Sequence, residues 1–240
     1  MVAVLSSRQE NEPVYVLHTY PFKETSLVAE LFSKQFGRVA MVAKGARRPR
    51  SAMRGQLQAF QMLSATWSGK NELKTLHSLE WADSLVSVSG EALMCGFYLN
   101  ELLLRLLPRE DAHESLFDYY QKTLKTLATG LDLATNLRRF ELKLLQEMGY
   151  AVPLNMDENG EPILVDKTYL YEAEYGASAF NKSKNGVQLS GKTLLDMAND
   201  DYVASQTQQQ SKLLMRYLLA HYLGDKPLHT RQLLIDLQGL

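Results

Sequence analysis

The first 85 residues alternate between hydrophobic and polar side chains in short runs that are separated by turn-forming residues. The runs that are rich in β-branched and aromatic residues are 13–20, 25–33, 37–45, 57–67 and 72–86. Alternation with a period of two is typical of strands that bury one face. Because the turns are short and no long helix separates the runs, the pattern predicts a small antiparallel barrel or sandwich.

Further along the chain, the hydrophobic residues recur at helical spacing. Helices are predicted over 89–110, 113–130, 131–149, 191–200, 205–224 and 228–238. Several of them stop at a glycine or before a proline, as helices commonly do. Residues 150–190 are irregular, with weak strand patterns at 162–165 and 167–173. The chain is therefore predicted to be an α+β protein, with a β domain at 1–86 and an α-helical domain at 87–240.

Residues 186–193, GVQLSGKT, match the phosphate-loop pattern G-x-x-x-x-G-K-[ST]. A phosphate loop needs a buried strand before it and a parallel sheet around it, so that backbone N–H groups point at the phosphates. Here the preceding residues are polar and turn-forming, and only 47 residues follow Thr193. A turn, a short strand and a helix with Ser190 as its N-cap fit this context better. A nucleotide-dependent enzyme that uses Lys192 is the alternative hypothesis.

Composition argues against several other kinds of site. The single cysteine, Cys95, forms no intramolecular disulfide and no multi-cysteine zinc site, and a reducing cytoplasm is the expected compartment. No apolar run of 18 residues occurs, so no membrane span is predicted. The histidines are not spaced as i, i+4 pairs, and no G-x-S-x-G sequence occurs. The sequence thus predicts no catalytic residue, no metal and no cofactor.

Charge is unevenly distributed along the chain. Residues 1–80 hold 11 Lys and Arg against 6 Asp and Glu, whereas the remainder is acidic. One window without any acid contains the cations Arg38, Lys44, Arg47, Arg48, Arg50 and Arg54. Clustered cations repel one another unless an anion is bound, and Gly45 and Gly55 let a ligand approach the backbone. A solvated surface loop is the other interpretation of such a run.

Aromatic residues close to this window are available to stack with bases. They are Tyr20, Phe22, Phe36 and Phe60. Several of them belong to the predicted core, and Phe22 is the best candidate for exposure because it lies in a polar turn after the first strand. Basic and aromatic side chains together indicate a nucleic-acid interface. Since no base-reading helix is predicted, we expect phosphate contacts without sequence specificity.

Longer stretches carry a family resemblance that runs almost end to end. They are ETSLVAELFSKQFGRVAMVAKGARRPRSAMRGQLQAF, FYLNELLLRLLP, LFDYYQKTLKTLA and LRRFELKLLQEMGY. The most specific is AKGARR at 43–48, and the pattern LRRFEL-x-LL-x-x-x-GY at 137–150 is nearly as specific. In this order and at these spacings, the stretches resemble the RecO family of bacterial recombinational repair proteins.

The resemblance implies an OB-fold at 1–86, followed by a helical domain, and binding of single- and double-stranded DNA. It implies annealing of complementary strands coated with single-stranded DNA-binding protein, and loading of the RecA recombinase together with RecR. A cytoplasmic, nucleoid-associated protein with no membrane partner and no nucleotide hydrolysis is expected. A protein-interaction adaptor whose basic window binds acidic partners is a further functional hypothesis.

Many members of the family carry a four-cysteine zinc site after the GY sequence, and this chain departs from that pattern. Residues 150–190 contain no cysteine, so thiolates cannot hold zinc there. The insertion is therefore expected to be zinc-less. Packing of aromatic side chains is expected to hold it instead, and these are Tyr169, Tyr171, Tyr175 and Phe180.

The family's partners imply a second binding site in the helical domain. The acidic, Phe-ending tail of single-stranded DNA-binding protein requires an apolar pocket beside a cation. Arg138 and Arg139, which lie between Leu137 and Phe140, are the predicted tail-binding residues. An ordinary ion pair with Glu141 or another acid is the structural alternative for these arginines.

Overall fold

The computed structural model describes residues 8–150, 153–179, 186–224, 227–230 and 232. The chain divides into two compact units, of which the first runs to Leu131 and resumes at Leu228, and the second spans Asp132–Pro227. These units are defined by compactness and not by fold type. The domain boundary at residue 86 therefore stays a prediction.

Five strands form the closed barrel that the alternating pattern indicates. They are β1 (Arg8–Phe22), β2 (Ser26–Ser33), β3 (Gly37–Ala43), β4 (Met62–Ser68) and β5 (Leu73–Trp81). The strand order is β1-β2-β3-β5-β4, and β3 and β5 pair in parallel. The prediction of an antiparallel barrel is wrong for this pair. Both β3 and β5 run in the same direction as β1, because β2 is antiparallel to β1 and β3, and β4 is antiparallel to β1 and β5. The closed sheet is OB-like, which confirms the predicted α+β fold class.

Alternate residues of the strands fill the interior of the barrel, because successive side chains of a strand point to opposite faces. The core includes Val14, Leu31, Met41, Leu63 and Trp67. The connection from β3 to β4 contains the short helix α1 (Ala52–Gln56), where Met53 packs against the same core. The barrel core therefore also fixes the segment that carries the basic window.

Two helices of the first unit cover part of the barrel's outer face. They are α2 (Gly90–Leu106) and α3 (Glu114–Leu127). The ring centroid of Tyr15 on β1 lies 5.3 Å from that of Phe117 and 5.0 Å from that of Tyr120. Asn100 on α2 donates a hydrogen bond to the Leu17 carbonyl oxygen at 3.0 Å. Further along β1, Tyr20 is 46% exposed, so the covering ends before the β1–β2 turn.

Within its described residues, the second unit combines helices with a small sheet. The helices are α4 (Leu133–Glu147), α5 (Gly191–Ala198) and α6 (Ser205–Leu223). The strands β6 (Thr168–Glu172), β7 (Gly176–Ala179) and β8 (Val187–Ser190) form an antiparallel sheet in the order β7-β6-β8. The predicted strand at 167–173 corresponds to β6. The predicted strand at 162–165 is wrong, since Pro162 forms only an isolated bridge with Met156.

Packing of aromatic side chains holds this sheet in part as expected. Tyr169 and Tyr171 of β6 are buried, whereas Tyr175 is 69% exposed because it lies in the β6–β7 turn. Phe180 lies outside the described residues. Among the residues that the structure describes, no three His, Cys, Asp or Glu side chains are grouped closely enough to hold a metal ion. In that same part of the chain, no helix is both long and apolar enough to cross a membrane.

Candidate nucleic-acid interface

The basic loop, residues 44–54, begins directly after β3 and ends within α1. Gly45 adopts φ +70°, a left-handed conformation that strains a residue with a side chain. The turn that follows is closed by a hydrogen bond from the Arg48 N–H to the Gly45 carbonyl oxygen at 3.0 Å. Ala46 is fully buried in the barrel core. Core packing and backbone hydrogen bonds therefore hold the loop in place. Its charged side chains are not needed for this and are exposed to solvent.

The loop exposes five cations to solvent, namely Lys44, Arg47, Arg48, Arg50 and Arg54. In the described part of the chain, no carboxylate oxygen lies within 4.0 Å of any of their charged nitrogen atoms. Like charges in one short loop produce a positive potential that is not cancelled locally. This surface is suited to polyanions such as a phosphate backbone.

The β1–β2 turn is fastened to the basic loop. The Arg47 N–H donates to the Thr25 carbonyl oxygen at 2.9 Å, and Arg47 Nη1 donates to the Lys23 carbonyl oxygen at 3.3 Å. Lys23 Nζ lies 5.3 Å from the centre of the Phe22 ring, which is within cation–π distance. The turn therefore brings one further exposed cation, Lys23, to the same surface.

A groove of about 380 Å³ lies where the turn, the loop and the start of β5 meet. Its lining includes Phe22, Lys23, Lys44, Arg48 and Lys74. Lys74 is nearly buried and pairs with Glu110, with 2.6 Å between Nζ and Oε1, whereas the other cations point to open solvent. Sequence reasoning missed Lys23 and Lys74, because they are distant from the basic window along the chain and only strand pairing brings them to it.

Arg38 lies apart from the exposed cations. Its side chain is only 18% exposed, and its Nη1 lies 3.7 Å from Oε2 of the buried Glu30. Arg109 donates to the same carboxylate. Burial, opposed by Glu30, lowers the pKa of the Arg38 guanidinium from its ordinary value. The sequence grouped Arg38 with the loop because of linear proximity, whereas the strand turns its side chain into an internal charge network.

The aromatic residues near the basic window have different environments. Phe22 is the last residue of β1 and not part of a polar turn, and it is half-buried in the groove wall. Phe36 packs edge-on against Trp67 at 5.5 Å between ring centroids. Phe60 is buried in the core. Tyr20 is thus the most exposed of the four aromatic residues that the sequence indicates.

Both arginines of the predicted tail site form ion pairs. Arg138 Nη2 donates to Oε1 of the fully buried Glu141 at 2.6 Å. Arg139 Nε donates to Oδ1 of Asp200 at 2.6 Å, and its guanidinium lies 5.7 Å from the centre of the Tyr202 ring. Both arginines therefore form the ordinary ion pairs that were the structural alternative to a tail-binding site. Arg139 differs in being 37% exposed and in lying beside an aromatic ring.

The GVQLSGKT stretch comprises Gly186, the whole of β8 and the first three residues of α5. Three successive backbone N–H groups donate internally: Gly191 to the Lys167 carbonyl oxygen at 2.7 Å, Lys192 to the Val165 carbonyl oxygen at 3.1 Å, and Thr193 to Ser190 Oγ at 3.1 Å. Ser190 is the N-cap of α5, as the structural interpretation of this stretch predicts. No phosphate can be cradled by N–H groups that are already occupied.

Lys192 is likewise engaged within its own helix. Its Nζ lies 2.8 Å from both carboxylate oxygens of Asp196, one turn along α5. Burial alone would raise the pKa of Asp196, but hydrogen bonds from Lys192 and Thr207 hold that pKa below its ordinary value. The sheet in front of the helix is antiparallel, unlike the parallel sheet of phosphate-loop enzymes.

The amino-acid sequence matches one family of known proteins over nearly its whole length. The family model described as Recombination protein O N terminal matches residues 8–85, and the one described as Recombination protein O C terminal matches residues 88–232. The DNA repair protein RecO of Nitrosospira multiformis is 56% identical over 236 residues, which cover 97% of this chain and 98% of that protein. The DNA repair proteins RecO of Dechloromonas aromatica and Thiobacillus denitrificans are 49% and 50% identical, each over 98% of this chain and over 99% and 94% of their own lengths. The chain therefore belongs to the RecO family of DNA repair proteins.

Proposed function

We propose that this protein is a DNA-binding recombination mediator whose basic loop contacts the phosphate backbone of single- and double-stranded DNA. The observation that carries the proposal is the cluster of five exposed loop cations with no carboxylate within 4.0 Å in the described part of the chain. Such cations displace condensed counterions from DNA, which makes binding favourable and strongly dependent on salt. Phosphate contacts carry no sequence information, so one surface accepts any sequence.

Strand annealing follows from the same charge cluster. Two complementary strands repel each other through their phosphates, and a cationic surface that holds both lowers this repulsion. No covalent step is involved, so the protein acts by positioning the strands. Contacts with RecR and with single-stranded DNA-binding protein would remove the coating protein and open the DNA to RecA.

The tail of single-stranded DNA-binding protein is proposed to bind beside Arg139. This side chain is partly exposed and lies against Tyr202, and the next residue, Val203, is 88% exposed. A tail carboxylate would exchange with Asp200, which is itself exposed, while the terminal Phe packs on the apolar side chains. Arg139→Ala should weaken binding of a labelled tail peptide, and an unchanged affinity would rule this location out.

The DNA proposal is tested by a salt series with a fluorescent single-stranded oligonucleotide and with a duplex. The test variant carries Gln at Lys44, Arg47, Arg48 and Arg50. A matched variant has the same net charge and carries Gln at four exposed cations elsewhere in the chain, namely Lys122, Lys167, Lys212 and Arg216. Loss of four phosphate contacts should make the single-strand slope of log K against log salt shallower by about 3.

The matched variant separates local contacts from the effect of net charge. The matched variant should keep most of the wild-type slope of log K against log salt. The loop variant should have a shallower slope and should no longer anneal coated strands. Equal slopes in the loop variant and wild type would place the DNA surface elsewhere. If the loop variant instead loses binding to acidic protein partners while DNA affinity is unchanged, the adaptor hypothesis replaces the proposal.

A further inference from the structure

A row of side chains crosses the open part of the barrel's outer face. Direct cross-strand pairs join Tyr20 to Val28, Val28 to Val42, and Val42 to Thr75. Directly paired residues lie on the same face of a sheet. Met41, the neighbour of Val42, points into the core, so the row faces outward.

The row is mainly apolar and partly exposed. Tyr20 is 46% exposed, and Val28, Val42 and Thr75 are half-buried. The ring of His18 packs edge-on against Tyr20, with 4.4 Å between ring centroids, and supports the tyrosine from one side. An aromatic ring held in this way beside aliphatic side chains offers a flat surface that suits the face of a nucleic-acid base.

The row leads directly to cations. Val42 and Thr75 also line the groove that contains Lys44 and Arg48. Adjacent strands are about 4.8 Å apart, so four strands in a row extend over about 14 Å. This exceeds the ~3.4 Å between stacked bases of one strand, and the row therefore has room for more than one nucleotide.

We propose that this row is a base-stacking platform for single-stranded DNA, on which Tyr20 stacks with a base while Lys44 and Arg48 bind the neighbouring phosphates. The inference rests on the proposed function and adds the class of DNA that the site prefers. Bases of a duplex are already stacked on one another, so a duplex reaches the cations but not the tyrosine ring. Single and double strands thus share the phosphate contacts and differ at Tyr20.

The test compares DNA with bases and DNA without them. The probes are a labelled oligothymidylate, an abasic deoxyribose-phosphate oligomer of equal length, and a duplex, each titrated with the full-length protein. Tyr20→Ala should weaken binding of the oligothymidylate about tenfold or more. Binding of the abasic oligomer and the duplex should change by less than about twofold, because their contacts involve phosphates alone.

Two further variants serve as controls. Tyr20→Phe keeps the ring and should retain the wild-type affinity for oligothymidylate. Tyr175→Ala removes a tyrosine that is 69% exposed in the β6–β7 turn and should have no effect on any probe. Circular dichroism of each variant checks that the barrel is intact.

The outcomes separate this inference from the proposed function. An equal loss on all three probes, or no loss on oligothymidylate, overturns the stacking platform while DNA binding itself stands. Failure of the wild-type protein to bind any probe would overturn the proposed function and the platform with it. A loss confined to the oligothymidylate supports both.

Discussion

A pair of substitutions at the GVQLSGKT stretch distinguishes a structural turn from a nucleotide site. Gly191→Ala adds one methyl group at the first residue of α5, and Lys192→Ala removes the cation that a phosphate loop would need. The structural interpretation predicts that the glycine matters for stability and the lysine hardly at all. A nucleotide site predicts that the lysine matters for binding.

The magnitudes follow from the contacts of each residue. A Cβ at Gly191 would overlap the Leu164 carbonyl oxygen and lie 3.1 Å from the Tyr169 ring. The backbone of Gly191 cannot move away freely, because its N–H donates to Lys167 at 2.7 Å. Overpacking of this kind costs about 3 kcal/mol, which lowers the melting temperature by roughly 6–12 °C. Lys192→Ala removes a half-exposed ion pair with Asp196 and should cost at most about 1 kcal/mol.

Thermal unfolding and nucleotide titration together provide the assay. Gly55→Ala is the matched control for the added methyl group, since no atom lies within 4 Å of a Cβ at that helical position. It should leave the melting temperature unchanged or raise it slightly. Wild-type protein, Lys192→Ala and Gly55→Ala should all fail to bind labelled ATP, and Lys192→Ala should bind DNA like the wild type.

One result would refute the reasoning. If wild-type protein binds ATP, if Lys192→Ala abolishes that binding, and if Gly191→Ala melts at the wild-type temperature, the stretch is a phosphate site and not a structural turn. The internal acceptors of the three N–H groups would then have to be released when nucleotide binds.

Two further predictions concern ion pairs. Arg38→Gln should lower the free energy of unfolding by about 2 kcal/mol, because the Glu30 carboxylate is left with one cation fewer. The same variant should keep the wild-type dependence of DNA affinity on salt. A salt dependence as weak as that of Lys44→Gln would contradict this prediction. The hydrogen bonds from Lys192 and Thr207 outweigh the effect of burial and hold the pKa of Asp196 below its ordinary value. The stability from Asp196 is therefore fully present above its unfolded-state pKa and is lost as the pH falls through the lower folded-state pKa, below about pH 4. In urea unfolding, Asp196→Asn should be less stable than wild type near neutral pH, and this difference should shrink in acid; a difference that is constant with pH would argue against the ion pair.

Much of the fold could be predicted from the sequence because it depends on local periodicity. Strands β2, β3 and β5 and helices α2 to α6 lie within segments whose hydrophobic spacing predicts them, whereas β1 extends beyond 13–20 at both ends and β4 ends one residue beyond 57–67. Ser190 caps α5 because a serine before a helix satisfies an N–H group two or three residues later, which is a local effect. The composition of the basic loop likewise needed no tertiary information, since all of its charges lie within residues 44–54.

Short and irregular elements were harder to predict. The four-residue strand β7 has the sequence GASA, which carries no β-branched or aromatic residue. Its conformation comes from pairing with β6, whose Tyr169 lies opposite Ala179. Pairing of this kind overrides weak local preferences.

Cations that are close together in the sequence have different environments in the tertiary structure. Arg38 and Lys44 are six positions apart in one basic window, but a β-strand turns the first toward Glu30 while the loop exposes the second. Arg138 and Arg139 are adjacent, yet helical geometry directs one to Glu141 and the other to Asp200. The amino-acid composition alone does not show which carboxylate each arginine pairs with.

The groove and the outward row depend entirely on long-range pairing. Tyr20, Val42 and Thr75 are separated by more than 20 residues at each step along the chain and become neighbours only through the β1-β2-β3-β5 order of the barrel. Local periodicity determines that each of these segments is a strand and which face is apolar, because those properties depend on residues a few positions apart. Which strands become neighbours depends on closing the barrel around one shared core, and that is a property of the whole unit and not of any segment.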